Sequence, residues 1–203
     1  MRDEARAFSD ESMGAQPHAT TPRRPHALHE PIMRTIAAHL SLLGLVSATA
    51  AHIAALAGID VQTAAPFVWA LHPGIFLALP AVLMAAAQSG ERKTLWGLMR
   101  DGLPRVVAVT GGAVLAYAMM NFVLFIGATE GGSTVERDGR FLLENHGALI
   151  REITVAEYTA FRANEIRGFS GHWIAFYYIA FAFLRFFRVE PVDKRASPAS
   201  TNP

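Results

Sequence analysis

The run TIAAHLSLLGLVSATAAHIAALAGI, Thr35 to Ile59, contains 25 residues and no formal charge. A hydrocarbon core of about 30 Å is crossed by roughly 20 helical residues rising about 1.5 Å each, so this run is long enough to span a bilayer. Two more runs match it: Val61 to Gly90 is uncharged over 30 residues and Val106 to Ala128 over 23. Between residues 35 and 90 the single ionisable carboxylate is Asp60, and there is no Lys or Arg. A soluble helix keeps one face wet with charged side chains, and these stretches have none to spare. A fourth run, Phe169 to Phe187, is interrupted only by Arg185, close enough to its end for the side chain to snorkel towards headgroups. With 203 residues in all, too little chain remains to wrap four such helices as a soluble core. The expected fold class is an all-α integral membrane protein with four transmembrane helices and a small extracytoplasmic α+β insertion, a short β-meander plus helix, between the third and fourth.

Averaged over the chain, the composition conceals this: 52% hydrophobic residues, 17% charged and a net charge of +1 suit an ordinary globular domain. The absence of cysteine excludes a disulfide-stapled fold and a cysteine-ligated metal centre. The balanced charge argues against nucleic acid as a partner. The expected organisation is a disordered cytoplasmic tail over 1–31 and transmembrane helices 1–3 over 32–128, with an interfacial loop at 91–105. A periplasmic β-hairpin and helix domain over 129–168 follows, then transmembrane helix 4 over 169–188 and a second disordered tail over 189–203. Residues 1–30 combine acids with Pro17, Pro22 and Pro25 and lack an apolar stretch, so they are not read as a signal peptide. The first apolar helix then serves as an uncleaved anchor.

Orientation follows from the basic residues. Arg23, Arg24 and Arg34 precede the first run, the connection at Asp60 has no base, Arg92, Lys93, Arg100 and Arg105 follow the second run, and Arg188, Lys194 and Arg195 follow the fourth. Alternate connections are basic, which places both termini in the cytoplasm. Sixteen of the eighteen basic residues are Arg, a skew read as a bacterial genome rich in G and C, so the membrane is expected to be a cell inner membrane. Between Arg92 and Asp101, Leu95, Trp96, Leu98 and Met99 suit a short helix lying in the interface.

The long third connection has its own local signals. Asp138-Gly139 between Val135 and Leu143 suits a type I′ hairpin turn, and Asn145-His146-Gly147 marks a second turn. With a three-residue turn there, Arg140 would face Glu152 and Leu143 would face Leu149. Thr154-Val-Ala-Glu157 matches a capping box, so a helix begins there, with Val155, Tyr158, Phe161, Ile166 and Phe169 as its apolar stripe. Gly168, Ser170 and Gly171 predict a bend before the fourth span.

Chemistry-bearing motifs are scarce. The chain has no phosphate-binding Gly-rich loop, no His-Glu-x-x-His helix, no Gly-x-Ser-x-Gly elbow, and no carboxylate inside the first three spans. No catalytic residue is expected, and the lack of intramembrane charge disfavours a transporter. Histidines remain. His52 and His72 lie at similar depth in the first and second spans, while His39, about 220° around the axis from His52, faces elsewhere. His172 begins the fourth span. Two interpretations follow: these imidazoles hydrogen-bond neighbouring helices, for example at Ser47, Thr49 or Asn121, or His52 and His72, with His172, bind haem b or a divalent metal. His72-Pro73-Gly74 and Pro80 predict a kinked second helix in which the carbonyls of Trp69 and Phe76 lose their partners. The junction from Arg167 to Trp173 mixes glycine, polar and aromatic residues, and with Asn145 and His146 it supplies the candidate periplasmic surface. The expected role is a non-enzymatic membrane component that binds a membrane or periplasmic protein, or lipid, through its outer domain. The alternative is a haem- or metal-binding membrane redox protein, without a cofactor in the first case.

Overall fold

The computed structural model describes residues 29–89 and 94–188. The tails expected at 1–31 and 189–203 lie almost wholly outside these, as do Arg92 and Lys93 of the interfacial loop. Helix α1 runs His29–Leu56 and stops where Gly58 takes a φ of 76°. Asp60 then caps the one-turn helix α2, Val61–Ala64, its carboxylate accepting from the Thr63 amide at 3.2 Å.

The second apolar run is not one kinked α-helix. It is a 3₁₀ helix over Pro66–Gly74, followed by α3 over Ile75–Ser89. The change of helix type falls at His72-Pro73-Gly74. In the i→i−3 pattern the missing Pro73 amide leaves the Ala70 carbonyl without its partner, rather than that of Trp69. Pro80 is accommodated within α3. Helix α4, Leu95–Gly102, is capped by the Thr94 hydroxyl, and α5 runs Arg105–Gly127. Three segments, Ile32–Leu56, Pro66–Ala87 and Arg105–Gly127, are long and apolar enough to cross a membrane.

The connection after α5 is an antiparallel meander of β1 Ser133–Arg137, β2 Arg140–Asn145 and β3 Ala148–Ile153, in that order across the sheet. Asp138 and Gly139, with φ of 52° and 72°, make the type I′ turn that the sequence predicts. The second turn departs from expectation. His146 and Gly147, at φ 50° and 84°, form another two-residue turn flanked by the Asn145–Ala148 pair. The register therefore moves: Glu144 faces Leu149, Leu143 faces Arg151 and Leu142 faces Glu152. Ile150 is the extra residue, absorbed as a bulge in β3. Arg140 still reaches Glu152 diagonally, with Nε 3.2 Å from Oε1.

Helix α6, Val155–Phe186, starts at the expected capping box, with the Thr154 side chain on the Glu157 amide and the Glu157 carboxylate on the Thr154 amide. It is 32 residues long, about 48 Å, and runs unbroken through Gly168, Ser170 and Gly171, where a bend was expected. These small residues serve close approach instead. A Cβ on Gly171 would lie 2.6 Å from Asn121 Nδ2, and one on Gly168 would intrude on the Phe125 ring.

α6 is the axis of the bundle, with α1, α3 and α5 packed around it more than on one another. Ile166, Trp173 and Ala180 on α6 are fully enclosed. The surrounding helices turn Leu43, Val46 and Ile53 (α1), Leu83 (α3) and Val123 (α5) outward. The helix with the most polar residues is thus innermost and the more apolar ones form the outer shell. This arrangement suits an apolar solvent, in which small and polar residues supply the helix contacts.

Candidate functional site

Most of the bundle's buried polar groups cluster where the amino-terminal half of α6 meets its neighbours. His52 is 4% exposed and uses both ring nitrogens. Nδ1 is 2.8 Å from Ser170 Oγ, and Nε2 is bonded to the Tyr117 hydroxyl. Ser170 Oγ donates to the Ile166 carbonyl at 2.6 Å, so with respect to His52 it acts as the acceptor, which puts the imidazole proton on Nδ1. Nε2 then accepts from the tyrosine. One imidazole ties α1, α5 and α6 together.

Two of the three partners suggested by the sequence, Thr49 and Asn121, are engaged elsewhere. Thr49 Oγ1 donates to Leu45 O on its own helix, and Asn121 Nδ2 donates to the Arg167 carbonyl at 2.8 Å. Tyr117 and Ser170, which hold His52, were not singled out as its partners. They lie 65 and 118 residues away along the chain, and no local pattern connects them.

His72 and His172 occupy separate surroundings. His72 Nδ1 accepts from Trp173 Nε1 at 3.2 Å, and its ring is edge-on to Trp173 and Phe169. His172 Nδ1 donates to the Gly168 carbonyl one turn earlier, and its ring stands edge-on to Phe122. His52 and His72 do sit at the same level of α6, beside Ser170 and Trp173, but they engage different side chains of it. Among the described residues, no group of three or more His, Asp or Glu side chains is gathered as a metal site. His39 Nδ1 donates to Thr35 O on its own helix.

A second polar layer lies nearer the meander. Gln62, buried, donates to Glu165 Oε2 at 2.8 Å and accepts from Trp69 Nε1 at 3.3 Å. Arg162 pairs with Asp60 at 2.9 Å. Burial pushes the Asp60 carboxyl up, but hydrogen bonds from Thr63 and the Arg162 guanidinium outweigh it and hold the group below the ordinary carboxylate range. A cleft of about 310 Å³ opens beside this layer, lined by Thr134 of β1, Phe125 of α5 and Arg162, Asn164 and Glu165 of α6. Its charged groups are already engaged, Arg162 with Asp60 and Glu165 with Gln62, so the layer cross-links the connection after α1 to α6.

The remaining sequence candidates are divided. Asn145 and His146 are exposed at the second hairpin tip. Arg167 is half-buried on α6, with its Nε enclosed and lacking a hydrogen-bond partner among the described residues. Beside the tip, Leu149 and Ile150 are 58% and 44% exposed, a feature that alternation alone did not single out. β1 leaves the end of α5, β2 returns, β3 leaves and α6 returns. The tip at His146-Gly147 therefore lies at the bundle end of the sheet, and Asp138-Gly139 at the far end.

No family model matches the chain, and no curated protein or solved structure is similar to it. Fold and site together define a mostly helical protein of membrane type, with three helices long and apolar enough to cross a bilayer. Its interior polar groups act as ties between helices.

Proposed function

We propose that this is a multi-pass protein of a bacterial inner membrane, with both termini cytoplasmic and the meander periplasmic, acting as a non-enzymatic component that docks a second membrane protein. The fourth crossing in this reading is Phe169–Phe187 of α6. The alternation of basic connections supports the orientation, and the length of α6 supports a crossing that continues about 20 Å into the outer domain.

The observation that carries the docking role is the apolar pair Leu149 and Ile150. They are exposed on an edge strand, at the end of the sheet that faces the bundle. Ile150 is the bulged residue, and a bulge disfavours addition of another strand along that edge. Contact would therefore be through side chains, against an apolar surface at the level of the outer membrane–water boundary. The buried imidazole and carboxamides have their hydrogen bonds within the bundle, so they are not offered to a partner as this pair is.

A photoactivatable phenylalanine placed at Ile150 of the full chain, in its native membrane, tests this. The expected result is a discrete protein adduct, abolished by Leu149→Asp in the same chain and missing when the probe sits at Asp138. Adducts to lipid alone, or the same pattern from both positions, would overturn the docking role.

A further inference from the structure

At the end of the bundle opposite the meander, the carboxyl end of α6 meets the first turns of α1. Arg34 on α1 donates to the Leu184 carbonyl through Nε at 2.6 Å and to Phe187 O through a terminal nitrogen at 3.0 Å. A cation thus closes the negative end of the α6 dipole. Next to it opens a cleft of about 690 Å³ between α1 and α6. Arg34, Arg185 and Arg188 line it together with Thr35, His39, Leu42 and Phe181. Among the described residues no carboxylate lines it. Arg185 and Arg188 have exposed side chains, and Arg188 is held in place by its backbone amide on Gly102 O at 3.1 Å.

We propose that this cleft is a binding site for an anionic phospholipid, its phosphate held between Arg185 and Arg188 and an acyl chain lying against Leu42 and Phe181. This rests on α6 crossing the bilayer as proposed above. The two helices run antiparallel, so Arg34 to Leu42 on one and Arg188 to Phe181 on the other descend the same way. Arg34 and Leu42 are about 12 Å apart along α1, with the polar Thr35 and His39 between the charged end and the apolar one. That gradient follows the head-to-tail polarity of a lipid, which a soluble anion does not have. The Arg34 charge is partly offset by the carbonyls it caps, whereas the Arg185 guanidinium, over the Phe186 ring, and that of Arg188 are exposed and make no ion pair among the described residues.

The test uses the full chain purified in an uncharged detergent, with native mass spectrometry of retained lipid after addition of phosphatidylglycerol or phosphatidylcholine. Phosphatidylglycerol should be retained in preference. Arg185→Gln with Arg188→Gln should weaken its binding by about fivefold for each arginine removed, the usual contribution of a base at an anionic membrane surface. The double Lys variant should keep most of it. Equal retention of the two lipids, or undiminished phosphatidylglycerol binding by the double Gln variant, would overturn the site. Competition by inorganic phosphate alone, at the concentration of the lipid, would show a soluble-anion site instead and overturn the lipid assignment. Because the chain has no cysteine, single cysteines at Asp138 and Ala196 report the crossing separately. An impermeant maleimide applied from outside should label only the first. Equal labelling of both would refute the α6 crossing whatever the lipid result, while correct labelling with unselective lipid retention would refute the lipid site alone.

Discussion

His52 shows how one side chain can be legible as polar and buried while its role stays hidden. It lies within an uncharged run long enough to cross a bilayer, and a buried imidazole there must be hydrogen-bonded or ligated. Which of these applies depends on Tyr117 and Ser170, supplied by two other helices. His52→Leu should lower stability by about 1–3 kcal/mol, because it leaves the half-buried Tyr117 phenol without its acceptor and the buried Ser170 hydroxyl without its donor. His172→Phe should cost less than about 1 kcal/mol, since that imidazole bonds a carbonyl of its own helix. Thermal unfolding of the two variants in detergent checks the order, and an equal or reversed loss would remove His52 from its role as the three-helix tie. The turn residues contrast with this. Asp138-Gly139 and His146-Gly147 were legible because positive φ is a local demand, although the length of the second turn was not.

At the scale of elements, α6 is both the best and the worst predicted. Its start was legible from Thr154 and Glu157, because a capping box closes within four residues. The Glu157 carboxyl is held down to about 2, first by the Thr154 amide and then by Arg151 and the Thr154 hydroxyl. Its folded value lies below the unfolded one, so its stabilising contribution is complete at neutral pH. It fades as pH falls from the ordinary glutamate range near 4.5 towards about 2. Glu157→Gln should flatten that part of the acid-unfolding curve, and an unchanged curve would count against the cap. The missing bend has a different cause. Glycine permits a bend, but in α6 Gly168 and Gly171 lie against Phe125 and Asn121 of α5, which fill the space a side chain would take. Gly168→Ala should therefore destabilise by about 1–3 kcal/mol through overpacking. Gly127→Ala, with nothing within 4 Å of the added carbon, should cost nothing measurable in the same denaturation assay.

In the whole molecule, polar ties hold α6 at both ends as well as at His52. The Asp60–Arg162 and Gln62–Glu165 pairs anchor it near the meander, and Arg34 closes its far end on carbonyls about 150 residues away in sequence, between 149 and 153. The sequence by itself determined the apolar runs, their lengths, the alternation of basic connections and the local turns and caps, because each depends on composition or on residues a few positions apart. It did not determine that α6 would be the central helix, that the second run would change helix type at Pro73, or that His52, His72 and His172 would have separate partners. Only the tertiary structure decided these. In water, an apolar stripe marks the face that will be buried. In a bilayer the lipid is as apolar as the protein interior, so hydrophobicity no longer tells an outward face from an inward one. That choice passes to glycines that let rings approach and to polar groups that need partners, and both act between residues distant in the chain.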